Sequence, residues 1–332
     1  MAKYKVYRVH PAGMKVNLDI ERKILVEVDA ELSAIDYISE ADVIPKIKDA
    51  DALITAASLI TRRIMESLPN LKVVVRTGIG FDNIDLKAAT DNHILVVNIP
   101  DYCYEEVSNH AIALLLVCAK KIVVQNNLVK QGKWADAWAI RPPMGPITGE
   151  TLGLIGVGHI GRMVARKASV FGLKLLGYDP YMDKKLAEES GITLVDLPRL
   201  LKESDYISVH CPLNEQTHHL VSDEAFRQMK PTAYIINTAR GPIIEEAALA
   251  RAIQAKKIAG AGLDVFEKEP VEADNPLLKL DNVVMLPHSA WFSDEAYVRL
   301  RTFVAQEAAR VLSGHLPKTI VNRGVKPKVN LI

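Results

Sequence analysis

The sequence is poor in cysteine and has no apolar run long enough to cross a membrane. Its three cysteines, Cys103, Cys118 and Cys211, lie far apart and form no CxxC pair. This spacing argues against a zinc knuckle or a disulfide framework and fits a reducing compartment. The most apolar stretch, AIALLLVCA at 111–119, has about half of the ~20 residues that a membrane-spanning helix needs. The N-terminus lacks the apolar core of a signal peptide. We therefore expect a cytoplasmic protein with no membrane partner and no bound metal.

An excess of charge of one sign is also missing. The 41 lysines and arginines balance 40 aspartates and glutamates, and the formal net charge is +1. Such a balance gives no general attraction to nucleic acid, so we expect no nucleic-acid partner. Apolar residues make up 49% of the chain and charged residues 24%, as in ordinary globular proteins. At 332 residues the chain is long for a single core, so two domains are expected.

Short β-branched runs alternate with amphipathic helical stretches almost throughout the chain. This alternation predicts an α/β fold built on parallel sheets with helical crossovers. The first third contains five runs that read as strands: Tyr4–Val9, Ile24–Val28, Ala52–Thr55, Lys72–Val75 and Ile94–Asn98. A continuous helical pattern then extends from about Tyr104 to Lys130 and could link two globular parts.

A second series of strands follows the turn-rich segment RPPMGPITGET. It comprises six apolar runs with helical stretches between them: Thr151–Ile155, Leu173–Tyr178, Tyr206–Val209, Tyr234–Asn237, Gly260–Asp264 and Val283–Leu286. Six strands with crossovers match the size of a complete doubly wound dinucleotide-binding fold. A final long helix is predicted from just after Trp291 to about Ser313.

The first strand of this second series leads into the glycine pattern GVGHIG at 156–161. Gly156 would permit the tight turn, Gly158 the approach of a pyrophosphate, and Gly161 close packing of helix on strand. The helix that begins near His159 and Ile160 would direct its free N–H groups at the phosphates. Asp179, which ends the next strand, would accept hydrogen bonds from a ribose diol and repel a 2′-phosphate. The pattern therefore predicts NAD as the cofactor, in preference to NADP; the alternative is that the glycines only make turns.

Ligands of doubly wound folds bind beyond the carboxyl ends of the strands, so the residues there are candidates for the site. We expect the following of them to contact the cofactor: His210, Cys211, Pro212, Thr217, Thr238, Ala239, Arg240, Asp264, His288 and Ala290. The loop VFEKEP adds two carboxylates, Glu267 and Glu269, at the same edge.

Three of these residues suit hydride transfer between NAD and a 2-hydroxy acid. Arg240 can bind a carboxylate with two parallel hydrogen bonds. His288 can exchange the hydroxyl proton near neutral pH, and Glu269 would favour its imidazolium form. Taken singly, each has an ordinary alternative: a surface arginine, a solvated loop charge or a structural histidine. Their positions after successive strands favour the catalytic interpretation.

The sequence resembles the D-isomer-specific 2-hydroxyacid dehydrogenase family over nearly its whole length. The similarity lies in GLIGVGHIGRMVA with Asp179, VHCPLNEQTHHLV, MKPTAYIINTARGPIIEEAAL, AGLDVFEKEP and NVVMLPHSAW. It implies that Arg240, Glu269 and His288 are the catalytic residues, with Glu269 preferred to Glu267 because it precedes the proline. It also implies a flavodoxin-like substrate-binding domain at 1–100 plus 291–332. A Rossmann NAD-binding domain at 101–290 would be inserted into it, with the active site in a cleft that closes over the substrate.

The resemblance also suggests contacts for the substrate. The segment RTGIGFDNID at 76–85 matches the family's substrate loop, so the backbone N–H groups near Ile79 and Gly80 would hold the carboxylate and Arg76 would be a second anion contact. The alternative is that Gly78 and Gly80 only form a turn. PHSAWFSDEA is similar to the C-terminal-binding-protein corepressors, which implies that Trp291 lines the substrate pocket. A core position for Trp291 at the start of the last helix is the alternative.

These observations favour an NAD-dependent D-2-hydroxyacid dehydrogenase acting as a 2-oxoacid reductase on a small-molecule 2-oxo or 2-hydroxy acid. A phosphoglycerate-type or glyoxylate/hydroxypyruvate reductase is the alternative, since Arg76 could supply a further cation. An NADH-sensing, corepressor-like scaffold ranks last, because such proteins carry long disordered extensions. The resemblance implies a homodimer formed through the NAD-binding domain. We expect the partner at Tyr104–Lys130 and at WADAWAIRPP, where Trp134 and Trp138 lie.

Overall fold

A computed structural model describes residues 2–141 and 144–332. Its internal contacts divide the chain into two units. The first unit consists of Met1–Cys103 and Ser293–Ile332, and the second of Tyr104–Phe292. Each unit contains one parallel β-sheet with helices between successive strands. The predicted α/β class with two doubly wound parallel sheets is thus confirmed.

The first unit begins with five strands in the sheet order β2-β1-β3-β4-β5, the flavodoxin-like order. The strands are β1 (Tyr4–Pro11), β2 (Ala30–Tyr37), β3 (Ala52–Thr55), β4 (Val73–Arg76) and β5 (Leu95–Val97). The helices are α1 (Asp19–Leu25), α2 (Glu40–Lys46), α3 (Arg62–Glu66) and α4 (Leu86–Asp91). The apolar residues of these helices pack on the sheet. The side chains of β3, β4 and β5 are therefore almost all buried.

The predicted strand at Ile24–Val28 is wrong. Ile24 and Leu25 end helix α1, and Val26–Val28 form a 3₁₀ turn in which Val26 is 69% exposed. A short apolar run does not distinguish a strand from the end of a helix. The actual second strand, β2, alternates buried and exposed residues because it is an edge strand with one solvated face.

The second unit starts with three helices: α5 (Tyr104–Ala119), α6 (Ile122–Lys130) and α7 (Trp134–Ala139). The continuous helix predicted from Tyr104 to Lys130 is therefore wrong. Lys121 adopts a left-handed backbone conformation with φ of 50°, and the axes of α5 and α6 differ by 61°. Pro142 and Pro143 of the predicted WADAWAIRPP arm lie outside the described residues.

Seven strands form the sheet of the second unit, in the order β12-β11-β10-β9-β6-β7-β8. They are β6 (Thr151–Ile155), β7 (Lys174–Tyr178), β8 (Thr193–Leu194), β9 (Tyr206–Val209), β10 (Tyr234–Asn237), β11 (Gly260–Leu263) and β12 (Val283–Met285). The connecting helices are α8 (His159–Ser169), α9 (Lys184–Glu189), α10 (Leu197–Glu203), α11 (Asp223–Gln228) and α12 (Glu246–Gln254). The prediction of six strands missed β8, which has only two residues.

The strand order of this sheet reverses between β6 and β9. Chain segments leaving the two strands turn to opposite sides at such a switch point, which opens a crevice at their carboxyl ends. The peptide groups after both strands meet there, since His210 N donates to Ile155 O at 2.7 Å. The glycine pattern therefore lies where doubly wound folds bind ligands.

The chain returns to the first unit with its longest helix, α13 (Asp294–Leu312). Ser293 caps this helix by accepting a hydrogen bond from Ala296 N at 3.0 Å. Trp291 precedes the cap, so the predicted helix start just after Trp291 is a few residues early, and Trp291 is not its first residue. Because a serine side chain satisfies one of the free N–H groups, the helix begins where the cap is and not where the apolar pattern begins.

A buried ionic cluster joins α13 to the start of the chain. Glu21 of α1 is fully buried and contacts two arginines: Arg8 of β1 at 3.1 Å and Arg301 of α13 through both carboxylate oxygens. Burial lowers the pKa of Arg8 to about 10, and the positive charge of Arg301 acts in the same direction. A buried carboxylate between two buried guanidinium groups fixes these elements together, because each charge would be costly to bury alone.

The segment after α13 covers the edge of the first sheet. Val321 N donates to Val96 O at 2.9 Å, so the segment hydrogen-bonds to edge strand β5. Asn322 adds its side chain, accepting from Val96 N at 2.9 Å and donating to Ile94 O at 2.9 Å. These contacts satisfy backbone groups that an edge strand would otherwise present to solvent.

Among the described residues, no single helix is both long and apolar enough to cross a membrane. Helices α5 and α6 reach the required length and composition only when taken together across their bend.

Candidate active site

The glycine loop after β6 is shaped by contact with the loop after β9. Gly156 has φ of 92°, and a Cβ on it would lie 2.5 Å from Cys211 N. A side chain at this position would therefore clash with backbone, in a conformation that residues with a Cβ rarely adopt. Gly161 is restricted in the same way, since its Cβ would lie 2.3 Å from Gly156 O. Both positions require glycine for packing of the protein on itself.

The start of α8 is open in contrast. Gly158 is its N-cap, makes no side-chain capping hydrogen bond, and would place a Cβ within 4 Å of nothing. His159 is exposed, and its ring stacks on Tyr104 with centroids 5.1 Å apart. The first N–H groups of this helix, including that of Ile160, are thus not satisfied by a capping side chain. This end of the helix fits a pyrophosphate, which would meet both the helix dipole and free donors.

Asp179 follows β7 and is held in one orientation by backbone groups. Its Oδ2 accepts from Val157 N at 2.9 Å, and its Oδ1 accepts from Tyr181 N at 3.0 Å. Each oxygen retains a further lone pair. The carboxylate therefore joins the glycine loop to the end of β7 and can accept from hydroxyl groups of a bound ribose.

His210 and Cys211, after β9, are electrically neutral. Burial lowers the pKa of His210 to about 3, and its Nε2 lies 2.8 Å from Ser208 Oγ. Burial also raises the pKa of the Cys211 thiol to about 12. Neither residue is suited to acid–base or nucleophilic chemistry near neutral pH. Thr217 is tied back to this loop, since its hydroxyl donates to Pro212 O at 2.6 Å.

Arg240 is positioned by a residue that the sequence did not single out. Asn237, at the end of β10, accepts from Ala239 N at 3.0 Å and donates its amide to Arg240 O at 2.9 Å. The guanidinium Nη1 donates to Ala239 O at 2.7 Å. Thr238 is buried, and its hydroxyl lacks a hydrogen-bond partner among the described residues, so a ligand here would find an unused polar group. Asn237 continues the pattern of the strand, so the sequence gives no sign that its side chain shapes the turn.

The loops after β10 and β11 lie against each other. A Cβ on Gly241 would be 1.9 Å from Phe266 C, so only glycine permits this approach. Phe266 N in turn donates to Glu269 Oε1 at 3.0 Å. Arg240 and Glu269 are thereby placed on adjoining loops, and the positive charge of Arg240 is among the influences that lower the pKa of Glu269.

The ring of His288 faces Glu269. Its Nδ1 lies 2.7 Å from Glu269 Oε2, which leaves Nε2 as the nitrogen free of that contact. Burial acts to raise the pKa of Glu269, but the hydrogen bond and charge of His288, the Phe266 N–H and the charge of Arg240 outweigh it. The net pKa is lowered, so the carboxylate is ionised. Glu267 points elsewhere and lies 2.9 Å from His219 Nε2.

Asp264 and Ala290 lie behind this pair. Asp264 is fully buried, and its Oδ2 accepts from Ala290 N at 2.8 Å. Trp291 donates its indole N–H to His288 O at 3.1 Å and meets Phe292 edge-on. Asp264 and Trp291 are therefore both hydrogen-bonded to the turn that carries His288.

The predicted substrate-loop residues belong to the first unit. Arg76 ends β4, and its Nη1 donates to Thr77 O at 2.9 Å. Its side chain lies over Gly78, where a Cβ would meet it. Ile79 O accepts from Asn98 Nδ2 at 2.7 Å, and Gly80 is partly exposed beside it. The loop is thus tied to β4 and to the segment after β5.

No cluster of three or more His, Cys, Asp or Glu side chains suited to hold a metal ion occurs in the described part of the chain. Three features indicate a dinucleotide site: the uncapped start of α8, the hydroxyl of Thr238 without a hydrogen-bond partner among the described residues, and the fixed carboxylate of Asp179. These features fit a dinucleotide.

Comparison with known proteins agrees with this chemistry. Residues 112–290 match the family described as D-isomer specific 2-hydroxyacid dehydrogenase, NAD binding domain. The chain is 41% identical over 289 residues to a glyoxylate reductase of Korarchaeum cryptofilum, covering 86% of this chain and 87% of the relative. It is 40% identical over 311 residues to a D-3-phosphoglycerate dehydrogenase of Methanocaldococcus jannaschii, covering 93% of this chain but 58% of that longer protein.

A solved structure shows the same fold. The D-lactate dehydrogenase of Aquifex aeolicus, complexed with NAD and lactic acid, superposes with a TM-score of 0.82 at 30% identity, over 93% of this chain and 96% of that one. The chain therefore belongs to the D-isomer-specific 2-hydroxyacid dehydrogenases, a family of oxidoreductases that use a nicotinamide dinucleotide.

Proposed function

We propose that the chain reduces a small 2-oxoacid to its D-2-hydroxy acid with NADH, using His288 as proton donor and Arg240 as carboxylate ligand. The contact of 2.7 Å between His288 and Glu269 carries this proposal. Of the two histidines that follow strands of the second sheet, His210 is held neutral by burial, whereas His288 has a carboxylate partner. A residue that gives a proton to an alkoxide must first carry that proton. A neighbouring carboxylate favours the protonated imidazole, so the surroundings of His288 suit this role.

The roles of the protein groups follow from their atoms. Bound NADH supplies the hydride that reduces C2. Arg240 binds the substrate carboxylate through its guanidinium and polarises the adjacent carbonyl. His288 releases a proton from Nε2 to the carbonyl oxygen, because Nδ1 is engaged by Glu269. The ring becomes neutral and takes up a proton from solvent before the next turnover. Glu269, ionised throughout, keeps the ring oriented and stabilises its charged form.

NAD is proposed in preference to NADP because of Asp179. Its carboxylate is fixed by two backbone N–H groups and would accept from the ribose hydroxyls. A 2′-phosphate placed there would meet a negative charge. The residues proposed to contact the dinucleotide remain those at the strand ends, with Gly158, Thr238, Ala239 and Ala290 lining the path.

We propose an unphosphorylated substrate, such as glyoxylate or hydroxypyruvate, as the first candidate. The glyoxylate reductase that is 41% identical aligns with this chain over 87% of its own length. A second candidate is a phosphorylated acid, because a D-3-phosphoglycerate dehydrogenase is 40% identical. Arg76 would then supply a further cation, and Ile79 and Gly80 the backbone donors of the carboxylate site. Trp291 is proposed to line the substrate pocket.

The test is NADH oxidation by the purified chain with a panel of 2-oxoacids. Glyoxylate, hydroxypyruvate, pyruvate, phenylpyruvate and 3-phosphohydroxypyruvate distinguish the candidate classes. His288→Ala is expected to lose turnover while still binding NADH, whereas His315→Ala, an exposed histidine on the segment after α13, is expected to match the wild-type chain. Tight NADH binding without turnover on any acid would favour the scaffold alternative.

We further propose that the chain forms a homodimer through α6 and α7. Trp134 is 67% exposed and Trp138 60% exposed, and Ile122 and Val129 add apolar surface. Arg141 stacks on the Trp138 ring at 3.3 Å, which gives the surface an aromatic and arginine composition typical of interfaces. Light scattering after size exclusion should give the mass of two chains. Trp134→Ser with Trp138→Ser should give the mass of one.

A cytoplasmic location is proposed from the cysteines. The three cysteines lie far apart in the sequence and form no CxxC pair, which suits a reducing compartment. Fractionation of the native host's cells, followed by detection of the chain, would test this.

A further inference from the structure

The backbone from His288 to Ala290 is hydrogen-bonded to one buried residue, Asp264. Asp264 O accepts from His288 N at 2.8 Å. Its carboxylate accepts from Ser289 N at 2.9 Å and from Ala290 N at 2.8 Å. Three consecutive N–H groups, from His288 to Ala290, therefore converge on Asp264. The direction of the His288 side chain depends on these hydrogen bonds.

His288 needs such support because its backbone is strained. Its φ is 53°, in the left-handed region that residues with a Cβ rarely adopt. Strained conformations of this kind persist only where neighbouring contacts determine them. If the hydrogen bonds to Asp264 loosened, the turn would relax and the imidazole would move away from Glu269.

Asp264 in turn needs polar groups that compensate for its burial. Its side chain is fully buried, and burial acts to raise its pKa. His110 and the N–H groups of Ser289 and Ala290 outweigh that effect and hold the pKa below the usual value. His110 Nε2 lies 3.5 Å from Asp264 Oδ1, within ion-pair distance, and makes no hydrogen bond of good geometry among the described residues. A buried carboxylate is stable only with such compensation.

The packing of α5 on the second sheet places His110 there. A Cβ on Gly262, two residues before Asp264, would lie 3.2 Å from Leu114 Cβ and from Cys118 Sγ, both on α5. The helix thus lies directly on β11, as close as a glycine allows. His110 is one helical turn before Leu114, which brings its ring to the carboxyl end of the strand.

We propose that His110 is a positioning residue of the active site. Its Nε2 holds the Asp264 carboxylate, the carboxylate holds the 288–290 turn, and the turn keeps the His288 imidazole on Glu269. This inference rests on the proposed roles of His288 and Glu269, but its physical core is a statement about the backbone that can be measured without turnover.

Three substitutions separate this role from general packing. His110→Leu removes the ring nitrogen, and His110→Asn carries an amide that is too short to reach Asp264. His110→Gln places an N–H donor near the position of Nε2. Asn109→Ala is the matched control, because Asn109 is exposed on the same helix and accepts from Lys167 at 2.6 Å instead.

The first measurement is amide hydrogen exchange at Ser289 and Ala290 by NMR. Exchange is expected to rise about tenfold in His110→Leu and His110→Asn, because the Asp264 carboxylate loses the ring nitrogen beside it, and to return towards wild type in His110→Gln. Equal exchange in all variants, or the same rise in Asn109→Ala, would overturn the proposal.

The second measurement is steady-state reduction of a 2-oxoacid. Misalignment of His288 should lower kcat about 10- to 100-fold in His110→Leu and His110→Asn. KM should change little, because the loss acts on the transition state, and His110→Gln should recover kcat. Loss of a folded fraction alone would lower activity without rescue by Gln and would count against the proposal. A wild-type chain without turnover would overturn the proposed function, and the exchange data would still decide the role of His110.

Discussion

The carboxylate of Glu269 and the ring of His288 meet at 2.7 Å, although the two residues stand nineteen positions apart on loops after different strands. Phe266 N holds the other carboxylate oxygen at 3.0 Å, so the direction of the contact is set by backbone. The pair therefore has a fixed geometry before any ligand arrives. Its charge state is what pH and substitution can change.

Glu269→Gln should lower kcat for 2-oxoacid reduction by about 10²-fold. Since the pKa of Glu269 is below its ordinary value of 4.5, the carboxylate acts at neutral pH and fails only as pH falls through that lowered pKa. Glu267→Gln is the control, and an equal kcat in the two variants would contradict the assignment.

Arg240→Lys should lower kcat/KM for 2-oxoacids by about 10- to 100-fold, as expected for the loss of one charge-assisted hydrogen bond. An ammonium group keeps the charge but not the planar pair of donors that a carboxylate binds. Arg227→Lys, on the exposed surface of α11, serves as control. Equal kinetics for both variants would remove Arg240 from carboxylate binding.

Asp179→Ala should lower kcat/KM for NADH by about tenfold through loss of a charged hydrogen-bond acceptor. Use of NADPH relative to NADH should rise, because the repulsion of the 2′-phosphate is removed. The measurement is a pair of saturation curves with the two cofactors at one fixed 2-oxoacid concentration. Glu188→Ala, an exposed acidic residue on α9, should leave the ratio unchanged.

Glu21→Ala should lower the free energy of unfolding by about 3–5 kcal/mol, since it leaves two arginines buried without their anion. Urea unfolding followed by circular dichroism measures the change. Glu31→Ala breaks a surface pair with Lys5 and should have little effect. A small effect of Glu21→Ala would show that water replaces the carboxylate.

His210 should make the folded chain sensitive to acid. Its pKa is about 3 in the folded state and 6.5 ordinarily, so only the unfolded chain binds this proton between those values. The free energy of unfolding should therefore fall as pH decreases from about 6.5 towards 3. His210→Gln should reduce that slope, and His315→Gln should not. Parallel pH profiles for wild type and His210→Gln would contradict the assigned neutrality.

Of the strands in the described residues, the sequence predicted all but β2 and β8. β2 alternates because it lies at an edge, and β8 is too short to form a pattern. His288 and Glu269 were found because each follows a strand or a motif. The contact between His110 and Asp264 could not be predicted. His110 lies in an apolar helix, and nothing in the sequence links it to a residue so far along the chain. Asn237 likewise reads as the last residue of a strand.

The covering of β5 by Asn322 has a consequence for synthesis of the chain. The two partners are separated by 226 positions. At ribosomal rates of about 5–20 residues per second, Asn322 is synthesised roughly 11 to 45 seconds after β5. During that interval the first sheet has an open template for strand addition by neighbouring nascent chains, so early misassembly on a polysome would begin at Ile94–Val97.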